Sequence, residues 1–299
     1  MSLDIVILNW NALDDTLACL RDLTSWEQHP FRLWVVDNAS EDESAALIRA
    51  AFPQVTVLAS EYNRGFAGGN NFALRRVLDT DATYVLLLNN DASIKEQDLQ
   101  RLLLNFEQRP DLGVLGPSLW DMDSPAYLLS AGGRDIVRHV VSHWRELPSD
   151  EALRIVDYVP GTCVLIRAEL LRRVGLFDEA YFFGGEMADL CARAREHGWL
   201  SAVDGAARAF HRMSRSSYLR AQLHIYYVLR NRFLFIRKFH RQDRWCWTPF
   251  WTGYGLYMAI LALGQGQFQR ARAILLAVVD GWCGRYGGQN ERILGRGLS

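Results

Sequence analysis

An α/β fold built on a mostly parallel central sheet flanked by helices is what this sequence predicts, and three observations predict it. Short apolar runs alternate with helix-periodic segments through the first 116 residues, which implies right-handed βαβ crossovers. Several of those runs stop abruptly in Asn or Asp, so polar side chains reach the carboxyl rim of the sheet, where ligands of open α/β folds sit. Beyond about residue 215 strand patterns cease and helical ones continue to the region of Asp280. The expected organisation is a sheet domain over residues 1–215, with halves at 1–116 and 117–215, and a helical, basic and aromatic extension over 216–299.

Strand-like runs are read at Asp4–Leu8, Leu33–Val36, Val55–Leu58, Tyr84–Leu88 and Leu112–Gly116. Helical patterns lie between them at Asp14–Ser25, Asp42–Ala51, Ala67–Leu78 and Lys95–Gln108, with Asp14 and Asp42 as N-terminal caps. From Gly116 to about Pro160 the rhythm is lost, and Pro117, Pro125, Gly132, Gly133 and Pro148 mark a loop-rich excursion with short strands. Helical spacing returns at Arg167–Val174, Met187–His197 and Ser217–Phe239. The uncharged stretch Thr248–Gly264 is broken by Pro249, Gly253 and Gly255 and falls short of the roughly 20 apolar residues a bilayer span needs. It reads as a helix lying on a protein or membrane surface, with a span as the lesser alternative.

A hydrophobic content of 49% with 12% aromatics excludes a disordered chain. The five cysteines are odd in number, widely spaced and without a Cys-x-x-Cys pair, which argues against a disulfide scaffold or zinc site. The opening Met-Ser-Leu-Asp enters a strand pattern with no secretory signal, so a cytoplasmic protein is expected. The net charge of −1 conceals a split: Gly205–Ser299 carries 15 Lys+Arg against Asp243, Asp280 and Glu291, a net of +12, leaving −13 for the rest. The basic stretch Arg208–Arg244 runs into Trp245, Trp247, Phe250, Trp251, Tyr254 and Tyr257, a combination suited to an anionic membrane interface. Nucleic acid could use the same residues, but the acidic N-terminal part opposes it, and no nucleic-acid partner is expected.

Four turns carry candidate chemistry. Tyr84–Leu88 ends in Asn89-Asn90-Asp91, hard oxygen donors suited to Mg²⁺ or Mn²⁺; the bland reading has Asp91 capping a helix near Ile94. Val36 leads into Asp37-Asn38-Ala39-Ser40, fit to meet a base edge or ribose hydroxyl, or merely to build an Asx turn. Asn63-Arg64-Gly65-Phe66-Ala67-Gly68-Gly69-Asn70-Asn71 offers backbone N–H groups and a helix start to an anion, though it lacks the Gly-x-Gly-x-x-Gly spacing. Gly175–Leu190 combines an aromatic, glycine-rich lip with Glu186 and Asp189, which share one helix face. A hydrophobic cleft would push one of the two towards proton abstraction, whereas ordinary helix-dipole compensation needs no chemistry. His211 gains meaning only if it returns to Asp91.

Taken in order, Ile7–Asn11, Val36–Ser40, Asn63–Asn71, Leu88–Asp91, Gly161–Arg167 with Val174–Glu179, Glu186–Asp189 and Tyr226–Asn231 resemble family 2 glycosyltransferases of the GT-A fold, rhamnosyltransferase-like branch. The resemblance covers most of residues 3–235. It implies inverting transfer of a sugar from a nucleotide-diphosphate donor to a hydroxyl on a glycan or lipid-linked acceptor, in cell-surface polysaccharide or glycolipid synthesis. Residues 1–116 become the nucleotide-binding half and 117–215 the acceptor and catalytic half. By the same resemblance Asn9, Asp37 and Asn38 contact the nucleoside, and Asn63, Gly65 and Asn70 line the nucleotide-sugar pocket. Asn89-Asn90-Asp91 occupies the family's Asp-x-Asp slot, Asp91 binding the metal and His211 completing its site. One departure stands out. Where the family commonly reads Glu-Asp-x-Asp-Leu this chain has Glu186-Met187-Ala188-Asp189-Leu190, so the usual aspartate slot holds a residue that cannot accept a proton. Either Glu186 serves as base with Asp189 in support, or the chain is a non-catalytic nucleotide-sugar or glycan-binding relative. The charge split adds peripheral contact at the inner face of the membrane.

Overall fold

The computed structural model describes residues 2–148, 153–212 and 218–295. Its core is a ten-stranded sheet. The first strands are β1 (Leu3–Asn9), β2 (Phe31–Asp37), β3 (Thr56–Ala59), β4 (Tyr84–Asn89) and β5 (Ala92–Ile94). Then come β6 (Leu112–Asp121), β7 (Leu128–Ser130), β8 (Leu153–Ile155), β9 (Cys163–Arg167) and β10 (Leu200–His211). Their order is β3-β2-β1-β4-β9-β6-β10-β5, with β7 beside β6 and β8 beside β10. The first four positions are parallel, and β10 is parallel to β6, while β9 enters antiparallel between β4 and β6.

Helices cover both faces because the strands are apolar on both. Along β4, Val85 and Leu87 join one core while Tyr84, Leu86 and Leu88 join the other, the period-two alternation of a doubly buried strand. Helices α1 (Leu13–Thr24), α2 (Ser44–Ala51) and α4 (Glu96–Gln108) contribute to the second core, and α3 (Gly65–Leu78), α5 (Ala168–Val174) and α6 (Glu186–Glu196) to the first. At α3 the glycines are needed: a Cβ on Gly69 would lie 2.5 Å from Leu8. Neither expected cap holds the N-cap position: Glu43 does so at α2, with Asp42 just before it accepting from Ser44 N, and Asp14 sits inside the first turn of α1, where it compensates the helix dipole.

The C-terminal helices α7 (Tyr218–Phe239), α8 (Arg244–Gly264), α9 (Phe268–Cys283) and α10 (Asn290–Leu294) share the first core rather than forming one of their own. The buried Trp251 donates its indole N–H to Val137 O at 3.0 Å, and Arg232 reaches Ile136 O and Val140 O. The boundary expected at residue 215 lies outside the described residues. Among the described residues no helix is long and apolar enough to cross a membrane. Helix α8 buries Trp251, Gly255, Ala259 and Ala262 and turns Leu256, Tyr257, Ile260 and Leu261 outward, as expected of a surface-lying helix.

Candidate active site

Strand register alone brings the predicted turns together. Asn9 pairs with Asp37, and Leu8 with Asn89, so the tips of β1, β2 and β4 lie side by side. Two strand spacings put the Asp37 and Asn89 backbones about 10 Å apart. The remaining segments are tied to this rim by close contacts at two glycines. A Cβ on Gly65 would stand 2.4 Å from Phe182 O, and one on Gly161 would stand 3.0 Å from Phe66 and 3.1 Å from Met187. Asn89 N donates to Thr162 O at 2.9 Å. The third turn, the lip and the start of α6 therefore converge on the tip of β4.

Within the rim, most of the predicted polar residues bond to one another. Asn9 is fully buried: its amide donates to Asp37 Oδ1 (2.9 Å) and Ser40 Oγ (3.1 Å), and its carbonyl accepts from Thr16 (2.8 Å). Direct contact with a nucleoside is thereby excluded for the Asn9 side chain; it orients Asp37. Asn38 is likewise consumed, accepting from Arg64 N (2.9 Å) and donating to Asn63 Oδ1 (3.1 Å) and Gly65 O (3.3 Å). Asn63 Oδ1 also accepts from Gly65 N. Asn70 is buried and donates to Phe66 O one turn back, which places its amide nitrogen in α3 rather than on a pocket wall. Asn90 ties the β4 tip to α1 through Thr16 Oγ1 (2.9 Å), whereas among the described residues Asn89 makes no side-chain hydrogen bond. Gly65 takes φ +67°, as the turn requires.

Asp91 does not cap a helix, since β5 follows it and α4 begins only at Glu96. Strand β5 pairs antiparallel with the end of β10, and this carries Asp91 to His211. Asp91 Oδ1 is buried and without a hydrogen bond, with His211 Nε2 at 3.2 Å. A carboxylate oxygen and an imidazole nitrogen that face each other outside hydrogen-bond geometry suit a hard cation between them. Among the described residues no third His, Cys, Asp or Glu completes a cluster, so further ligands would come from substrate and water. Arg212, which the sequence reading passed over, donates its N–H to Asp91 O (3.0 Å), and its guanidinium lies 3.5 Å from Asp15 and 3.7 Å from Asp123.

The two carboxylates of α6 share a face but not an environment. Asp189 is fully buried with both oxygens engaged: Oδ1 accepts from Arg193 at 2.7 Å and Oδ2 meets Lys238, which also pairs with Asp178 at 2.9 Å. That arrangement keeps Asp189 to a supporting place, because a carboxylate held by two cations is a poor base; it anchors α7 to α6. Glu186 is the reverse. It is buried, its Oε2 has no partner, and burial pushes its pKa up to about 7, with the Asp189 charge adding to the shift. The buried Tyr181 hydroxyl lies nearer Asp189, and burial together with the Asp189 carboxylate raises its pKa well above the ordinary phenol value. Met187, in the usual aspartate position, packs in the apolar core.

The lip is held rather than loose. Arg230 and Asn231, buried on α7, reach the carbonyls of Ala180, Tyr181, Phe183 and Gly184. Phe182, at φ +61°, stacks on Tyr227 with ring centroids 5.0 Å apart.

Residues 4–175, more than half of the chain, match the sequence profile of glycosyl transferase family 2. This chain belongs to that family. It is 26% identical over 239 residues to the low-salt glycan biosynthesis hexosyltransferase Agl10 of Haloferax volcanii, covering 78% of this chain and 74% of that protein. It is 25% identical over 286 residues to the N-acetylglucosaminyl-diphospho-decaprenol L-rhamnosyltransferase of Mycobacterium tuberculosis, covering 88% and 92%. The fold matches that of a family of solved sugar transferases at low identity. The mannosyltransferase PcManGT of Pyrobaculum calidifontis, solved with GDP-Man and Mn²⁺, superposes with a TM-score of 0.58 at 14% identity over 95% of this chain and 87% of that one. GalNAc-T7, solved with UDP, GalNAc and Mn²⁺, gives 0.60 at 12% identity over 76% and 48%. The sheet with its helical C-terminal region is thus a GT-A glycosyltransferase fold, and family 2 membership makes sugar transfer its activity.

Proposed function

We propose that this family 2 glycosyltransferase moves a sugar, with inversion, from a nucleotide-diphosphate donor to a hydroxyl of a glycan or lipid-linked acceptor, in synthesis of a cell-surface polysaccharide or glycolipid. One observation carries the reading: Glu186 is a buried carboxylate with a free oxygen and a pKa near neutrality, next to the slot that Met187 leaves without a base. A general base works best when its pKa lies near the working pH. Glu186 takes the acceptor's proton as the hydroxyl attacks the anomeric carbon. Asp189, Arg193 and Lys238 fix α6 against α7 so that Glu186 keeps its position. Asp37, positioned by Asn9 and Ser40, presents its second oxygen to the nucleoside, and the 63–70 loop offers its backbone to the donor.

Asp91 and His211 would hold a divalent cation, Mg²⁺ or Mn²⁺, which when bound neutralises charge on the departing diphosphate. The orphaned Asp91 oxygen and the facing His211 nitrogen support this assignment. Arg212 adds positive charge at the same place. Calorimetric titration of UDP or GDP should show affinity rising at least about tenfold with Mn²⁺ in the wild type and no Mn²⁺ effect in Asp91→Asn. Mn²⁺-independent binding in both would remove the site.

The transfer assignment is tested by incubating the protein with Mn²⁺ or Mg²⁺ and a panel of nucleotide sugars, reading slow donor hydrolysis. Glu186→Gln should lower turnover by roughly 10²–10⁴-fold, the usual worth of a general base; turnover at the wild-type rate would end the proposal. The buried Met187 favours a second reading, a nucleotide-sugar-binding relative without transfer. It predicts tight donor binding, no turnover by the wild type, and turnover gained in Met187→Asp.

The exposed apolar residues of α8 and α9, among them Trp245, Tyr257, Ile260, Phe268, Val279 and Trp282, support peripheral contact with the inner face of a membrane. Arg241, Arg244, Arg270 and Arg285 supply the charge that anionic lipid would meet. Flotation with phosphatidylglycerol vesicles but not with phosphatidylcholine vesicles is expected, and equal flotation with neither would contradict it.

A further inference from the structure

Among the described residues six buried side-chain polar atoms lack a well-formed hydrogen bond, and they fall in two places. Asp91 Oδ1, Tyr181 OH and Glu186 Oε2 belong to the site above. Arg134 Nε, Trp199 Nε1 and Ser201 Oγ all belong to residues lining a single cavity of about 360 Å³ elsewhere in the molecule. Buried polar groups are paired in the great majority of cases; Arg134 Nε and Trp199 Nε1 have no partner and Ser201 Oγ has only the weak Cys191 thiol, so these groups around one cavity point to a ligand that supplies better partners.

The cavity lies at the opposite end of β10 from Asp91 and His211, and its α6 wall begins at Cys191, five residues along the helix from Glu186. Ser201, at the start of β10, pairs with Val114 on β6, whereas His211 at its end pairs with Asp121. Seven residues of strand separate those two β6 positions, about 23 Å at the usual rise. The wall is built by residues from 133–144 and 155–157 on one side and by α6 and the start of β10 on the other. A group held at Asp91 and His211 therefore lies outside it.

Its chemistry is one-sided. Arg134 Nε and Trp199 Nε1 can only donate, and Ser201 Oγ, 5% exposed beside the Cys191 thiol, adds a hydroxyl. Arg195 is a second guanidinium at the rim. The one lining carboxylate, Asp157, is committed: Oδ1 accepts from Arg195 at 2.7 Å and Oδ2 from Asp135 N at 2.8 Å. Trp144 is fixed in the wall by Arg134 and Arg154, both about 4.7–4.8 Å from its ring centre. Donors in excess, one net positive charge and indole walls call for a ligand that is all acceptor and carries a ring.

We propose that this cavity is a second, non-catalytic binding site for a small sugar bearing an oxyanion, a uronate carboxylate or a sugar phosphate. Arg134 faces the charged oxygens, and Trp199 Nε1 and Ser201 Oγ face the uncharged oxygens of the ring. The site stands independently of the assignment of Glu186.

Titration of the full chain by calorimetry with glucuronate, glucose 6-phosphate and glucose tests it, each with and without saturating UDP and Mn²⁺. Saturable binding of one or both anionic sugars is expected, at least about tenfold tighter than glucose and unchanged by nucleotide or by Glu186→Gln. Which anionic sugar binds tells carboxylate from phosphate. Trp199→Phe keeps the ring that packs against Arg167 and removes only the N–H, and Ser201→Ala removes only the hydroxyl. Each should weaken binding about three- to tenfold, the value of one hydrogen bond, while Arg134→Gln should abolish it. Binding no tighter than glucose, binding displaced by nucleotide, or binding undiminished in both Trp199→Phe and Ser201→Ala would overturn the proposal.

Discussion

The β1–β2 turns and the start of α6 both end a buried element in polar side chains, yet they use them in opposite ways. At the first, Asn9, Thr16, Asp37, Asn38, Ser40 and Asn63 satisfy one another almost completely, and the result is a rigid rim. At the second, Asp189 is neutralised by Arg193 and Lys238, while Glu186, one helical turn away, keeps an oxygen with no partner. The contrast teaches that polar residue type marks a site's frame, whereas reactivity lies with the group that the frame leaves unsatisfied.

The largest effect should come from breaking the second region at its proposed base, the turnover loss of Glu186→Gln described above. The same variant should gain stability. Burial raises the Glu186 pKa from its ordinary 4.5 to about 7, so the folded state keeps a proton that the unfolded chain has released. The stabilising contribution is full below about pH 4.5 and is lost as pH rises through 7; above that the buried charge costs about 3 kcal/mol. Glu186→Gln should therefore melt several degrees higher than wild type at pH 8 and equally at pH 4.5, measured by calorimetry.

Next in size is the anchor. Lys238→Met leaves Asp189 and Asp178 without their shared cation and should destabilise by about 3 kcal/mol in urea titration, as broken buried pairs do. Gly65→Ala adds a Cβ 2.4 Å from Phe182 O at a left-handed backbone position, and about 2 kcal/mol should be lost together with donor affinity. The smallest effect belongs to the frame: Thr16→Val removes hydrogen bonds to Asn9 and Asn90, costing about 1–2 kcal/mol. Its turnover at saturating donor should stay near wild type, which separates frame from chemistry.

Strand and helix positions through residue 116 were legible because apolar runs of period two and helical stripes are local patterns. The antiparallel entry of β9 was not, since Cys163–Arg167 carries the same apolar signal whichever direction it runs. Glu186 and Asp189 could be found as a pair but not told apart. What separates them is Lys238, 49 residues beyond Asp189, which in the sequence is one cation of a basic run. Asn9 and Asn70 looked like ligand contacts because burial is decided by register and packing that no single segment states. The Asp91–His211 approach needed β5, three residues too short to show a period.

The most direct test of the account is the pH dependence of kcat/KM for sugar transfer or donor hydrolysis. A base buried as Glu186 is predicts a rate that climbs about tenfold per pH unit below about 7 and levels above it, with that limb absent in Glu186→Gln. A profile already level from pH 5 upwards, or a limb near 7 that survives in Glu186→Gln, would contradict the assignment of proton transfer to this residue.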